Sequence, residues 1–144
     1  MNMSRMDESK DAPLLSSTSE AVTQNVRVEV ESTYAPQHSQ PFDQQWVFHY
    51  TVRITNEGRE PVKLLTRHWI ITESTGQTHE HKGDGVVDKQ PELAPGQTFE
   101  YTSWCSLTTP SGVMRGTYQF VRRGDEHFDV EIAPFALHEP YTIH

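Results

Sequence analysis

Apolar and polar side chains alternate, residue by residue, through most of this chain. Val26, Val28 and Val30 take turns with Arg27, Glu29 and Glu31, which is the period of a half-buried strand. Trp46, Phe48, Tyr50, Val52 and Ile54 share one face of a second strand and Val47, His49, Thr51, Arg53 and Thr55 the other, up to a turn at Asn56-Glu57-Gly58. The stretch from Val62 to Thr72 is apolar on both faces, Leu64 and Ile70 against Leu65, Trp69 and Ile71, as a central strand would be. Glu73-Ser74-Thr75-Gly76 reads as a hairpin loop leading into Gln77 to His81. Phe99 and Tyr101, then Met114, Tyr118 and Phe120, then Phe128, Val130 and Ile132 supply three more alternating runs.

The pattern predicts about seven strands and no helix of useful length. Pro36, Pro41, Pro61, Pro91, Pro95, Pro110 and Pro134 all fall at strand boundaries, where a missing N–H costs least. The expected fold is all-β, an immunoglobulin- or fibronectin-III-like antiparallel sandwich. A closed barrel would show a similar strand pattern. Residues 25–144 form the predicted domain. Residues 1–24 are rich in Ser, Thr and acid without period, and are expected to be a disordered extension whose removal leaves the melting temperature nearly unchanged.

Composition agrees with the pattern. The 144 residues hold 12 Val, 5 Ile and 15 Thr against 6 Ala and 7 Leu, and stiff branched side chains favour a pleated surface. The formal net charge is −8, a field that repels phosphate backbones, so nucleic acid is not an expected partner. No apolar run is long enough to span a bilayer. A single cysteine, Cys105, forms no intrachain disulfide and reads as a small buried hydrophobe. No apolar signal stretch follows Met1, so the expected location is the cytoplasm.

Two places could carry chemistry. Gly83-Asp84-Gly85-Val86-Val87 begins a G-x-G-x-x-G pattern, with Asp88 at the sixth place. A dinucleotide site needs a helix after the glycines, and Pro91 and Pro95 forbid one. A tight loop requiring positive φ or close backbone approach is the simpler reading. That loop and its neighbouring strand edge also form the candidate partner-binding surface. Val86 and Val87 are equally suited to anchoring a partner or plugging the core. His79 and His81 lie two apart on a strand and so share a face; with Asp84 they are the candidate ligands for a divalent cation. No Ser/His/Asp or Cys/His arrangement is present, so no enzymatic activity and no resident cofactor are expected.

Several strings resemble the bacterial ApaG family. They are Tyr50-Thr51-Val52 through Asn56, Pro61-Val62-Lys63-Leu64-Leu65 with Arg67-His68-Trp69, and Gly83-Asp84-Gly85-Val86-Val87 with Gln90-Pro91. Ala94-Pro95-Gly96 with Phe99-Glu100-Tyr101-Thr102-Ser103, Thr109-Pro110-Ser111-Gly112, Met114-Arg115-Gly116-Thr117-Tyr118 and Ile143-His144 complete the set. The resemblance covers about Val26 to His144. It implies a fibronectin-III-like sandwich and carries an old association with cobalt and magnesium efflux. Similar domains attached to eukaryotic F-box proteins and to a polymerase-delta-interacting protein imply a protein-interaction module. Asp88 departs from the family's usual G-x-G-V-V-G, and Trp104 stands where a glycine commonly follows Tyr-Thr-Ser.

The expected function is therefore a small cytoplasmic, non-catalytic binding module for a protein partner, with a homodimer as one form. The alternative is a soluble accessory factor in divalent-cation homeostasis. A nucleotide-binding or nucleotide-hydrolysing protein using the glycine loop is the third reading.

Overall fold

The computed structural model describes residues 16–140. Residues 1–15 of the expected extension, and the closing 141–144 with Ile143 and His144, lie outside the described residues. Among the described residues nine strands run in chain order: β1 (Ser16–Thr23), β2 (Val26–Tyr34), β3 (Trp46–Asn56), β4 (Val62–Glu73), β5 (Thr78–Asp84), β6 (Glu92–Leu93), β7 (Thr98–Leu107), β8 (Ser111–Arg122) and β9 (Glu126–His138). Short 3-10 turns at Pro36–His38 and Pro41–Asp43 connect β2 to β3.

The strands form two sheets, β1-β2-β3-β7 and β5-β4-β8-β9, with β6 on the flank of β4. Every named pair is antiparallel. Val26, Val28, Val30, Phe48, Tyr50, Val52 and Ile54 from the first sheet face Leu64, Trp69, Tyr118, Phe120, Val130 and Leu137 from the second, all buried. The sandwich and the inward sets read from the sequence are those observed.

Two bulges explain irregular patterning. In β4 the register against β8 shifts between Leu64 and Thr66, so Leu65 is an extra residue. Side-chain parity flips there: Val62 and Leu64 point inward before it, Trp69 and Ile71 after it. That is why the run is apolar on both apparent faces. In β9, Met114 pairs with Phe135 but Gly116 with Ile132, so the insertion at Ala133-Pro134 moves the buried set from Phe128, Val130 and Ile132 to Phe135 and Leu137.

The reading of residues 1–24 as wholly disordered needs correction, because Ser16–Thr23 is a paired strand. It contributes little apolar surface; its hydroxyls close the gap to the other sheet instead. Ser19 Oγ donates to the Ala133 carbonyl (2.8 Å), the Ala136 amide donates to Ser17 Oγ (3.0 Å), and the Glu131 amide donates to Thr23 Oγ1 (3.1 Å). Ser32 Oγ on β2 adds a bond to the Ala136 carbonyl at 2.6 Å. Edge main-chain groups of β9 are thus satisfied by short side chains from β1 and β2. The strand count rises from about seven to nine by β1 and the two-residue β6.

Candidate functional site

The glycine loop follows β5. Gly83 is still in the strand, and the Arg67 guanidinium of β4 lies close over it: a Cβ at Gly83 would meet that group at 2.7–2.9 Å. Arg67 Nη1 donates to the carbonyls of Asp84 (2.9 Å) and Gly85 (2.8 Å). The Gly85 amide donates to Leu65 O at 2.8 Å, and Gln90 Nε2 donates to the same carbonyl at 2.9 Å. Gly85 has φ +63, and a Cβ there would stand 2.2 Å from Lys89 O. Positive φ and close approach both apply at this residue, as the sequence leads one to expect.

Val86 and Lys89 exchange amide bonds of 2.8 and 2.9 Å, closing a two-residue turn. Val87 (φ +42) and Asp88 (φ +65) both occupy the left-handed region, the geometry of a type I′ turn. Asp tolerates that region well, which accounts for Asp88 in place of glycine. The two valines, equivalent in sequence, are separated here: Val86 is buried, whereas Val87 is 47% exposed. No helix follows the glycines. The amides of Gly85 and Val86 are engaged within the protein, so the loop is a closed structural turn with one apolar tip.

On β5, His79 and His81 do share a face, paired with Ile71 and Trp69 of β4. His79 Nε2 lies 2.7 Å from Glu73 Oε2, while His81 is exposed. Among the described residues no three His, Cys, Asp or Glu side chains converge as a metal cluster, so His79, His81 and Asp84 are not brought together. A second imidazole, His68, meets Glu80 at 2.8 Å; both are imidazole–carboxylate ties between β4 and β5.

Glu73 was not singled out by sequence reasoning, which placed it in a hairpin loop. It ends β4 with its side chain only 2% exposed. Its Oε1 accepts from the Thr108 amide (2.8 Å), the Thr108 hydroxyl (2.8 Å) and the Thr109 hydroxyl (3.1 Å). Burial pushes this carboxyl up, but the Thr108 hydroxyl, His79, the Thr108 amide and the Thr109 hydroxyl together hold it below its ordinary value. The arrangement anchors the β7–β8 connection. The one legible signal is the Thr108-Thr109 pair, whose hydroxyls can satisfy a buried acid.

Cys105 is buried, and burial pushes its thiol up to about 12, so it stays protonated and unreactive at neutral pH. Trp69 belongs to the core; Trp104 is 52% exposed on the outer face of β7. The Trp104 indole meets His49 edge-on at 4.0 Å between ring centroids and His38 at 4.7 Å. No helix of the described residues is long and apolar enough to cross a membrane.

Comparison with known proteins agrees with these features. Residues 36–122 match the family model described as the ApaG domain. The chain is 51% identical over 125 residues to Protein ApaG of Anaeromyxobacter sp. strain K, spanning 87% of this chain and 98% of that one. It is 52% identical over 120 residues to Protein ApaG of Bordetella pertussis, spanning 83% and 92%. A crystal structure of a Bordetella pertussis protein titled ApaA superposes with a TM-score of 0.79 at 50% identity, covering 85% of this chain and all of that one.

Proposed function

The chain belongs to the ApaG-domain family, and from that premise we propose that it is a small non-catalytic protein-interaction module, with the Gly83–Val87 loop as its contact surface and Val87 as the apolar anchor. The observation that carries this reading is the conformation of Val87. It is β-branched, holds φ +42 and remains 47% exposed. Such a residue in the left-handed region is an outlier and costs on the order of 1–3 kcal/mol. Gly or Asn would sit in the same turn without that cost, and an exposed tip gives Val no packing reason to be there. A partner that buries the side chain would supply one.

A cytoplasmic location goes with this reading, supported by a lone buried thiol that requires no oxidising compartment. The alternative role in divalent-cation handling has weaker support, because His79 already bonds Glu73 and leaves His81 and Asp84 without a third ligand at hand.

The test compares wild type with Val87→Asn as bait in native-host extract, with melting temperatures recorded in parallel. The variant should be as stable as wild type or more so, and should lose the protein that wild type retains. Equal retention by a folded Val87→Asn protein would remove Val87, and the loop with it, from the binding surface.

A further inference from the structure

Among the described residues β1, β5, β7 and β9 are the edge strands longer than two residues, and three of them are managed. β1 and β9 flank the same side and are stitched together by the hydroxyl bonds of Ser17, Ser19 and Thr23. β5 is short and carries Glu80, Lys82 and Asp84, charges that oppose pairing with another strand. β7 differs. It runs ten residues, Thr98–Leu107, contains no proline, bears Glu100 as its one charged side chain, and among the described residues pairs only with β3. A long edge of this kind is a template for strand addition.

Main-chain phase is set by the neighbouring bonds. The Asn56 amide donates to Gln97 O at 3.0 Å on the β7 side of β3, and the Glu57 amide donates to Asn25 O at 2.7 Å on the β2 side. Alternation in an antiparallel ladder then turns the amides and carbonyls of Phe99, Tyr101, Ser103 and Cys105 toward β3. Those of Thr98, Glu100, Thr102, Trp104 and Ser106 face the open edge.

We propose that this edge pairs with its own copy: β7 adds antiparallel to β7 of a second chain about a two-fold axis through Thr102, joining two four-stranded sheets into one. The register about Thr102 is the one that pairs all five outward-facing positions, since an axis at Tyr101 leaves Ser106 over and one at Ser103 leaves Thr98 over. Thr102 meets the partner's Thr102, Glu100 meets the partner's Trp104, and Thr98 meets the partner's Ser106, so every outward-facing main-chain group in the strand finds a ladder partner. Moving the axis to Glu100 would set two carboxylates directly opposite, which is destabilising; moving it to Trp104 would leave Thr98 and Glu100 unpaired. Within each copy Glu100 is already bonded to Arg53 at 2.8 Å, so its charge is balanced before pairing. The half-exposed Trp104 lies across the seam from the partner's Glu100. This edge is separate from the loop assigned above, and either assignment can fail without the other.

Sedimentation equilibrium over a concentration series to about 1 mM should show the mass rising from 16.5 kDa toward twice that value, the behaviour of a weak interface of small area. Thr102→Pro removes an amide that faces away from β3 and should leave a folded monomer. Thr102→Lys keeps the amide but sets two ammonium groups on the axis, and should also be monomeric. Circular dichroism verifies the fold of both. Hydrogen exchange at the amides of Thr102 and Trp104 should slow as wild-type concentration rises. A wild type that stays monomeric throughout, a dimer that survives both substitutions, or fast exchange of these amides in the dimer would each overturn the proposal.

Discussion

The phenolic hydroxyls of Tyr101 on β7 and Tyr118 on β8 hydrogen-bond to each other across the core, tying one sheet to the other. Both side chains are buried, and desolvation raises both phenols well above their ordinary range, so the pair stays neutral at any physiological pH. Each hydroxyl is the other's means of avoiding an unsatisfied buried dipole.

Removing one hydroxyl should therefore cost more than removing both. Tyr118→Phe strands the Tyr101 hydroxyl and is expected to lower stability by about 1–3 kcal/mol, while the Tyr101→Phe/Tyr118→Phe protein should recover most of that loss. Urea denaturation of the four proteins gives the cycle. Additive single-variant losses would show that the bond contributes no coupling.

The Glu73 carboxylate makes a pH prediction with a definite sign. Its folded pKa lies below the ordinary 4.5, so the unfolded chain takes up a proton first as pH falls. The stabilisation is complete above about 4.5 and is lost as pH drops from there through the folded value. Wild type should lose stability over that window more steeply than Glu73→Gln, which has no proton to bind. At pH 7 the same substitution should cost about 2 kcal/mol through the weakened bonds to Thr108 and His79. Parallel slopes for the two proteins below pH 4.5 would mean that Glu73 does not contribute to acid unfolding.

What the sequence discloses depends on which interaction builds each element. Strands that bury an apolar face announce it by period 2, which is how Val26–Val30, Trp46–Ile54 and Phe128–Ile132 were readable. β1 is held by Ser and Thr hydroxyls bonding to the main chain of β9, and Ser17, Ser19 and Thr23 look the same in a disordered tail. The bulge at Leu65 inverts facing within a single strand, so two half-patterns merge into an apparently two-sided run. Glu73 reads as a turn residue because nothing local reveals that Thr108 and Thr109 will arrive beside it. At the loop, the need for glycine at 85 was legible, whereas the different fates of Val86 and Val87 come from the turn's dihedral angles.

The two glycines of that loop should respond differently to alanine. At Gly85 the new methyl would sit 2.2 Å from the Lys89 carbonyl and the residue would hold φ +63, so Gly85→Ala is expected to cost about 2 kcal/mol or more. At Gly83 the nearest atoms to the methyl would be those of the Arg67 guanidinium, the far end of a flexible side chain that can move at smaller cost. Urea midpoints should fall much further for Gly85→Ala than for Gly83→Ala. The reverse order would show that Arg67, rather than the tight turn, is the element the loop depends on.

Truncation measures the polar strand. Without an apolar stripe, a chain lacking residues 1–24 would be expected to melt where wild type does. The structure predicts otherwise: deletion removes β1, exposes the edge of β2 and leaves the Glu131 amide, the Ala133 carbonyl and the Ala136 amide without the partners they now have. At about 1 kcal/mol for each of three hydrogen bonds, the melting temperature should fall by about 10 °C. The combined Ser17→Ala, Ser19→Ala and Thr23→Val substitutions keep the strand and remove only its hydroxyls. They should reproduce much of the drop in a thermal melt followed by circular dichroism. If the triple variant melts with wild type while the truncated chain does not, β1 acts through its ladder with β2 and the stitching to β9 is incidental.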